Sequence, residues 1–197
     1  MSKGRLEAFS DAVIAILMTI MVLGLAAPRG SDPASLAPLA PVFVSYGLSF
    51  VFLGIYWNNH HHLLQVAQRV DGRVLWANLH LLFWLSLIPF VTAWTGGTRF
   101  ATWPVAAYGA VQLLAGSAFY LLSRSLVSLH GRESRIAAAL GADFKGRLSL
   151  VLYAVAIPVA FARAWLAFGI YVLVAAIWLI PDPRLERALR PPAGSPE

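Results

Sequence analysis

The chain has 197 residues, of which 59% are hydrophobic and only 12% are charged, and its mean hydropathy is +0.70. Because soluble domains typically carry about 25% charged residues, this composition argues against a soluble globular protein and indicates one that lies in lipid. The sequence contains no cysteine, which excludes a disulfide framework, a thiolate metal site and a cysteine nucleophile.

Apolar runs long enough to cross a bilayer dominate the chain. About 20 apolar residues span the hydrocarbon core as a helix, and the predicted spans, in chain order, are Leu6–Ala27, Leu39–Trp57, Val74–Trp94, Trp103–Leu126, Leu148–Phe161 and Ala164–Ile180. The fifth run is short, and only the sequence FARAW separates it from the sixth. We therefore predict an all-α integral membrane protein with six transmembrane helices per subunit. A single six-helix transmembrane channel domain is expected to cover residues 1–182. The Pro- and Gly-rich tail at 183–197 is expected to be cytoplasmic and disordered.

The loop charges support six spans and give an orientation. With both termini on one side, that side carries twelve of the fifteen Lys and Arg residues, and only Arg29, Arg99 and Arg163 fall on the other. Basic residues accumulate in cytoplasmic loops, so both termini are predicted to be cytoplasmic. The basic residues do not form a patch interleaved with aromatic residues outside the spans, which argues against nucleic acid as a partner. Glu7 and Asp11 argue against a cleaved signal peptide, whose apolar region is uncharged.

The first span carries two different faces. At 100° per residue, Phe9, Ile16, Ile20 and Leu23 form one narrow aliphatic and aromatic stripe with Thr19 at its edge, and Asp11 falls on the far side. Such stripes usually pack against neighbouring helices or lipid. The other interpretation is a pore wall, because hydrophobic constrictions can line and gate ion pathways. Periodicity alone leaves both open.

The start of this span also carries a motif. Arg5-x-x-x-Phe9-Ser10-Asp11, followed by Ala15-Ile16-x-x-Thr19, resembles the signature of the family of the lysosomal potassium channel TMEM175 and its small bacterial relatives. The resemblance implies a homotetramer whose first helices line a central pore, without the TVGYG filter of ordinary potassium channels. It implies a constriction of bulky aliphatic side chains at Ile16, with further pore-lining residues at Thr19, Ile20 and Leu23. It also implies a multi-pass protein of a bacterial-type inner membrane.

The motif residues themselves are better read as structural than as an ion site. We expect Arg5, Phe9, Ser10 and Asp11 to fix the first helix in the bundle and to aim its pore face. Asp11 needs hydrogen-bond donors to offset its desolvation. Arg5 needs acceptors for its guanidinium group, and we expect Asp71 or the carbonyl groups of a helix to provide them. The candidate partners of the motif are His60, His61, His62, Asp71, Asn78 and His80.

The three adjacent histidines at His60–His62 raise the question of a metal. Helix ligands need i, i+3 or i+4 spacing, so three neighbours cannot converge on one ion, although one of them could join His80. The simpler interpretation is an interfacial cap at the end of the second span, whose rings bond to the first-helix motif and could sense pH. We predict no metal and no cofactor.

The sequence carries no enzyme motif: HExxH, GxSxG and a glycine-rich phosphate loop are all absent. We therefore predict a potassium-permeable cation channel, with potassium ions, membrane lipid and further copies of the chain as partners. Two alternatives stay open. One is a proton-permeable or proton-coupled transporter that uses the histidines. Such a transporter normally requires an acid or a histidine near the middle of the membrane. The other is a structural membrane subunit that conducts nothing.

Overall fold

A computed structural model describes residues 2–131, 133–140 and 143–180, and every regular element in these ranges is helical. Within these ranges the chain forms eight α-helices: α1 (Lys3–Ile20), α2 (Ala40–Val66), α3 (Gly72–Ser86), α4 (Ile88–Gly97), α5 (Thr102–His130), α6 (Arg135–Leu140), α7 (Phe144–Ala162) and α8 (Ala164–Leu179). Two 3₁₀ segments accompany them, Met21–Gly24 at the end of α1 and Pro33–Leu39 at the start of α2. The tail that was predicted to be disordered lies outside the described residues.

The helices cover the predicted apolar runs with adjusted ends. Five helical stretches are long and apolar enough to cross a membrane, and α8, with 16 residues, is a shorter apolar helix beside them. The weakest predicted boundary is confirmed, because α7 ends at Ala162 and α8 begins at Ala164, with Arg163 in an extended conformation between them. The fold is that of an all-α integral membrane protein.

The third predicted span is interrupted near its middle. α3 ends at Ser86, Leu87 forms a turn, and α4 begins at Ile88 with Pro89 in its first turn. Proline suits the first turn of a helix because the N–H groups of that turn have no carbonyl partner within the helix, so the N–H that proline lacks is not needed. The third predicted span is therefore made of two consecutive helices.

The second helix is longer than predicted. The sequence ended this span at Trp57, yet α2 continues to Val66, and Ala67 is the first residue in an extended conformation. The Asn and His residues after Trp57 are compatible with a helix once their side chains find partners, so the histidines lie on two further turns of α2 and not in a cap beyond it.

Helix α5 is the centre of the bundle. It packs against α3, α4, α7 and α8 and contributes the largest share of the buried residues. Gly109 of α5 lies so close to α8 that a Cβ there would overlap the hydroxyl of Tyr171, which donates to the Val105 carbonyl at 3.1 Å. Helix α1 lies at the edge, in contact with α2, α3 and α4.

Side chains tie the helix ends together at one end of the bundle. Lys3 Nζ donates to the Gln65 carbonyl at 3.3 Å, and Lys145 Nζ donates to the Ile180 carbonyl at 2.8 Å. At the same end as Gln65, Arg69 Nη2 donates to the Leu129 carbonyl at 3.1 Å. The start of α1, the end of α2 and the end of α5 therefore share the end of the molecule where the predicted cytoplasmic charges lie.

Candidate functional site

Helix α1 presents a buried stripe to the rest of the subunit. Leu6, Ser10, Ile14 and Leu17 are buried at i, i+4 and i+3 spacing, and Met21 continues the stripe in the 3₁₀ turn. These residues pack on α2 and α3 and set the rotation of α1. Ile14 is buried in this stripe, whereas Asp11 beside it is only half-buried.

The predicted pore residues lie on another face, and that face is open. Ile16, Ile20 and Leu23 are 60%, 47% and 80% exposed in the single subunit, and Phe9 shares this surface at 47%. We call Phe9, Ile16, Ile20 and Leu23 the α1 stripe. It carries no charge and contacts none of the other helices closely enough to be buried, so it requires lipid or another copy of the chain to cover it.

Thr19 lies beside the α1 stripe and is exposed. Its hydroxyl group is within hydrogen-bond distance of the carbonyls of Ala15 at 3.1 Å and Ile16 at 3.0 Å. The hydroxyl proton is therefore directed into the helix, which leaves the oxygen lone pairs facing outward. An oxygen in this state can accept a hydrogen bond from water or contact a cation.

A chain of buried hydrogen bonds fixes α1 from behind. Ser10 Oγ donates to the Leu6 carbonyl at 2.9 Å and accepts from Asn78 Nδ2 at 2.9 Å, and Asn78 Oδ1 meets His60 Nε2 at 2.7 Å. Because Ser10 uses its proton on Leu6, the amide of Asn78 must donate to it, and His60 must then donate from Nε2. Ser10, Asn78 and His60 are all completely buried. We call these three residues the anchor network, which connects α1, α2 and α3.

Two acids of α1 meet two aromatic residues of α2 beside the anchor network. Trp57 Nε1 donates to Asp11 Oδ1 at 3.1 Å, and His61 Nδ1 lies 3.4 Å from Glu7 Oε1. The Trp57 and His61 rings stack, with centroids 5.9 Å apart, and His61 Nε2 also bonds to Gln65 at 2.7 Å. Asp11 thus has the Trp partner that its desolvation requires. The sequence did not predict the contact of Glu7 with α2. Glu7 and Asp11 are four residues apart on α1, as Trp57 and His61 are on α2, so the two pairs can meet side by side.

The structure does not bring together the other predicted partners of the motif. Asp71 caps α3 by accepting the Val74 N–H at 2.9 Å, and within the described residues Arg5 is exposed without a hydrogen bond or an ion pair. His80 accepts from Trp84 on its own helix at 2.8 Å, and His62 Nδ1 is buried without a partner. Arg5 therefore has no polar partner among the described residues, and Phe9 is left 47% exposed.

A second polar cluster lies deeper in the bundle, and sequence reasoning missed it. Thr92 Oγ1 donates to the Ile88 carbonyl at 2.6 Å and lies 2.6 Å from Ser49 Oγ. Ser49 bonds to the Tyr108 hydroxyl at 2.9 Å, and Gln112 Nε2 donates to that hydroxyl at 3.3 Å. These residues are buried on α2, α4 and α5. None of the four is an acid or a histidine, so the cluster acts as interhelical adhesion.

His130 holds the loop between α2 and α3. Its Nε2 accepts the N–H groups of Gln68 at 3.1 Å and Arg69 at 3.3 Å, and its Nδ1 lies 2.9 Å from the Leu126 carbonyl. Two amide donors at Nε2 and a carbonyl at Nδ1 require the neutral ring with the proton on Nδ1. The contact joins two segments 60 residues apart, which no local pattern could reveal.

In the described ranges, no group of three or more His, Asp and Glu side chains is arranged to hold a metal ion. The three adjacent histidines diverge, as helical spacing requires. His60 faces Asn78, and His61 faces Glu7.

A bundle of long apolar helices, joined by buried polar networks, defines an integral membrane protein of the all-α class. Comparison with known proteins identifies the family. Residues 5–89 match the model of the family described as "Endosomal/lysosomal potassium channel TMEM175". A protein described as a potassium channel from Chryseobacterium sp. (strain P1-3) is 50% identical over 190 residues, which cover 96% of this chain and 99% of that protein. The chain therefore belongs to the TMEM175 family, which is a family of ion channels and not of enzymes.

Two further relatives extend the comparison. The crystal structure of a lysosomal potassium-selective channel TMEM175 homolog from Chamaesiphon minutus superposes with a TM-score of 0.78 at 26% identity, over 95% of this chain and 98% of that chain. The human protein described as "Endosomal/lysosomal proton channel TMEM175" is 34% identical over 96 residues, which cover 42% of this chain and 19% of that protein.

Proposed function

We propose that this protein is a potassium-permeable cation channel, formed by four copies of the chain around a central pore that the α1 helices line. The observation that carries this proposal is the α1 stripe, which is apolar, uncharged and open on the very helix that carries the family motif. Family membership and the relative described as a potassium channel support potassium as the ion that passes. One α1 stripe cannot enclose a path by itself, so a closed ring of copies is needed.

In this arrangement the four Ile16 side chains form the narrowest ring. Ile20 and Leu23 line the pore towards the C-terminal end of α1, and Thr19 lies beside the ring. A short aliphatic ring passes cations when it is wide enough to stay wetted and stops them when it dries. The Thr19 oxygens offer lone pairs next to the Ile16 ring, where a partly dehydrated cation needs them. Passive flow then follows the electrochemical gradient.

The anchor network supplies the rigidity that such a ring requires. Buried hydrogen bonds from α2 and α3 hold the back of α1, so the rotation of the α1 stripe is set within each subunit before four subunits assemble. The two contacts of Asp11 and Glu7 with α2 act at the same end. We propose this positioning role for Ser10 and Asp11, and we assign Phe9 and Arg5 to contacts that one subunit does not make.

The membrane placement follows from the same features. We propose six membrane-crossing segments, with the break between α3 and α4 inside the third. The basic end of the bundle faces the cytoplasm, which puts both termini there, in a bacterial-type inner membrane.

Potassium flux into liposomes tests the proposal. The full chain is purified and reconstituted, and the wild type is compared with Ile16→Asn. Leu173→Asn serves as a matched control, because Leu173 is an aliphatic residue of α8 with 51% exposure. We expect wild-type flux, a raised flux or altered ion preference in Ile16→Asn, and wild-type behaviour in Leu173→Asn. Both the wild type and Ile16→Asn are shown to be folded and tetrameric by native mass spectrometry. If neither of them then conducts potassium, the channel proposal is overturned.

Proton conduction is the second candidate, and the human relative described as a proton channel favours it. The same liposomes, loaded with a pH-sensitive dye, separate the two. Potassium flux that exceeds proton flux supports the first proposal, whereas proton flux without potassium flux replaces it with the second.

A further inference from the structure

The hydrogen bonds of the polar cluster between α2, α4 and α5 run in one direction. Thr92 Oγ1 donates its only proton to the Ile88 carbonyl at 2.6 Å, so the 2.6 Å contact between Thr92 and Ser49 uses the proton of Ser49. The Tyr108 hydroxyl then donates to Ser49 Oγ at 2.9 Å and accepts from Gln112 Nε2 at 3.3 Å. Every proton of the cluster therefore points towards Ile88, and the amide oxygen of Gln112 is left as an acceptor at the other end.

This acceptor is buried without a donor. Gln112 has no exposed surface in the subunit, and none of the described residues donates to its Oε1. Exchanging the oxygen and nitrogen of the amide does not help, because Tyr108 has used its proton on Ser49 and needs the N–H of Gln112. Buried polar atoms are normally paired with protein groups or with ordered water. The direction of the cluster therefore requires a donor from outside it.

A cleft between α2, α5, α7 and α8 approaches Gln112. Gly116 lies one turn after Gln112 on the same face of α5 and forms part of the wall of the cleft. A Cβ at Gly116 would lie 3.0 Å from Leu150 Cδ2 and 3.7 Å from the Tyr56 hydroxyl. The lining continues to Trp178 in the last turn of α8. The cleft therefore runs from one end of the bundle towards the buried cluster.

The lining of the cleft contains polar groups that have no protein partner. Tyr56, Tyr120 and Tyr153 line it, and their hydroxyls make no hydrogen bond within the described ranges. Asn59 also lines it and donates from Nδ2 to the Ile55 carbonyl at 2.8 Å, which leaves Oδ1 as an acceptor. A bound water molecule needs two to four polar partners, and a hydroxyl can both donate to it and accept from it. These groups suit water and not lipid chains, which form no hydrogen bonds.

We propose that this cleft is a water inlet. Ordered water molecules enter from the end of the bundle at Trp178, bond to the hydroxyls of Tyr56 and Tyr153, and donate from the innermost position to Gln112 Oε1. The water completes the polar cluster on the side where protein groups leave it unpaired. The inlet is closed at its inner end, because the last proton of the cluster is bound to the Ile88 carbonyl. It is therefore not a second pore, and it does not depend on the proposed channel function.

Water-edited solid-state NMR of the full chain in lipid bilayers tests the inner end of the inlet. The chain contains three glutamines, of which Gln65 and Gln68 are exposed and Gln112 is buried. Protein that is isotope-labelled at the glutamine amide carbons therefore gives three signals, and Gln112→Leu identifies the signal of Gln112. We expect magnetisation transfer from water to all three signals at short mixing times. Transfer to Gln65 and Gln68 alone would show that Gln112 is dry and would overturn the proposal.

Hydroxyl-radical footprinting with X-ray pulses tests the wall of the cleft in the wild type, because radicals formed from bound water oxidise the side chains beside it. Tyr153 and Tyr171 are both buried, with 3% and 0% exposure. Tyr153 lines the cleft, whereas the Tyr171 hydroxyl donates to the Val105 carbonyl. We expect mass spectrometry to find oxidation of Tyr153 and none of Tyr171. A rate for Tyr153 no higher than that for Tyr171 would overturn the inlet, and this result needs no variant.

A variant of Gly116 tests the route of the water. A leucine side chain in a helix points back over the preceding turn, so Gly116→Leu places it between the cleft and Gln112. We expect this variant to lose the transfer from water to Gln112 and to keep the transfer to the two exposed glutamines. Gly47→Leu is the control, because a Cβ at Gly47 would have no atom within 4 Å, and it should behave as the wild type does. Full transfer to Gln112 in folded Gly116→Leu would show that water arrives by another route and would overturn the inlet.

Discussion

The anchor network gives the sharpest test of how α1 is held. Asn78→Ala removes the amide that donates to Ser10 at 2.9 Å and accepts from His60 at 2.7 Å. Interhelical hydrogen bonds in membrane proteins contribute about 0.6 kcal/mol on average and up to about 1.7 kcal/mol. The buried His60 N–H that remains adds a penalty of about 1–3 kcal/mol. We therefore expect Asn78→Ala to lower the free energy of unfolding by about 2–4 kcal/mol.

The assay is reversible unfolding in mixed micelles with increasing SDS, followed by circular dichroism. A double-mutant cycle with Ser10→Ala isolates the bond between the two residues, and we expect a coupling free energy of about 0.6–1.7 kcal/mol. Asn59→Ala is the matched control, because Asn59 bonds only within its own helix, to the Ile55 carbonyl, and should change stability by less than about 1 kcal/mol. A coupling free energy indistinguishable from zero would refute the inference that Ser10 and Asn78 fix α1.

Two further predictions concern contacts that the bundle creates. Gly109→Ala is expected to destabilise the protein by about 1–3 kcal/mol in the same unfolding assay, because its methyl group would overlap the Tyr171 hydroxyl. Gly47→Ala is the control and should be neutral or slightly stabilising, because a Cβ at Gly47 would have no atom within 4 Å. Equal effects at the two glycines would contradict this reasoning. His130→Phe is expected to leave the two loop amides without an acceptor, so hydrogen exchange in the loop between α2 and α3 should accelerate while exchange within α2 stays unchanged. Unchanged exchange in the loop would show that His130 does not hold it.

Several features of the fold follow from the sequence because they depend on local chemistry or on summed composition. Apolar runs of sufficient length specify the membrane helices, and the charged residue in FARAW was enough to mark the boundary between α7 and α8. The family was also readable from the short motif at Arg5–Asp11, and the comparisons confirm it.

The end of α2 shows where local reasoning failed. Polar residues after Trp57 suggested the end of a span, yet the helix continues to Val66 because Asn78 and Glu7 supply partners for His60 and His61 from other helices. The partners of a polar side chain depend on helices that meet only in the folded bundle, so no pattern within one helix reveals them.

For α1, the sequence by itself determined the periodic stripe and the motif, because a helix fixes the angle between its own residues. Only the tertiary structure decided which face of the helix is covered. Ser10 and Ile14 are buried against α2 and α3, and Ile16 and Leu23 are left open, because burial is a property of neighbours and not of a residue type.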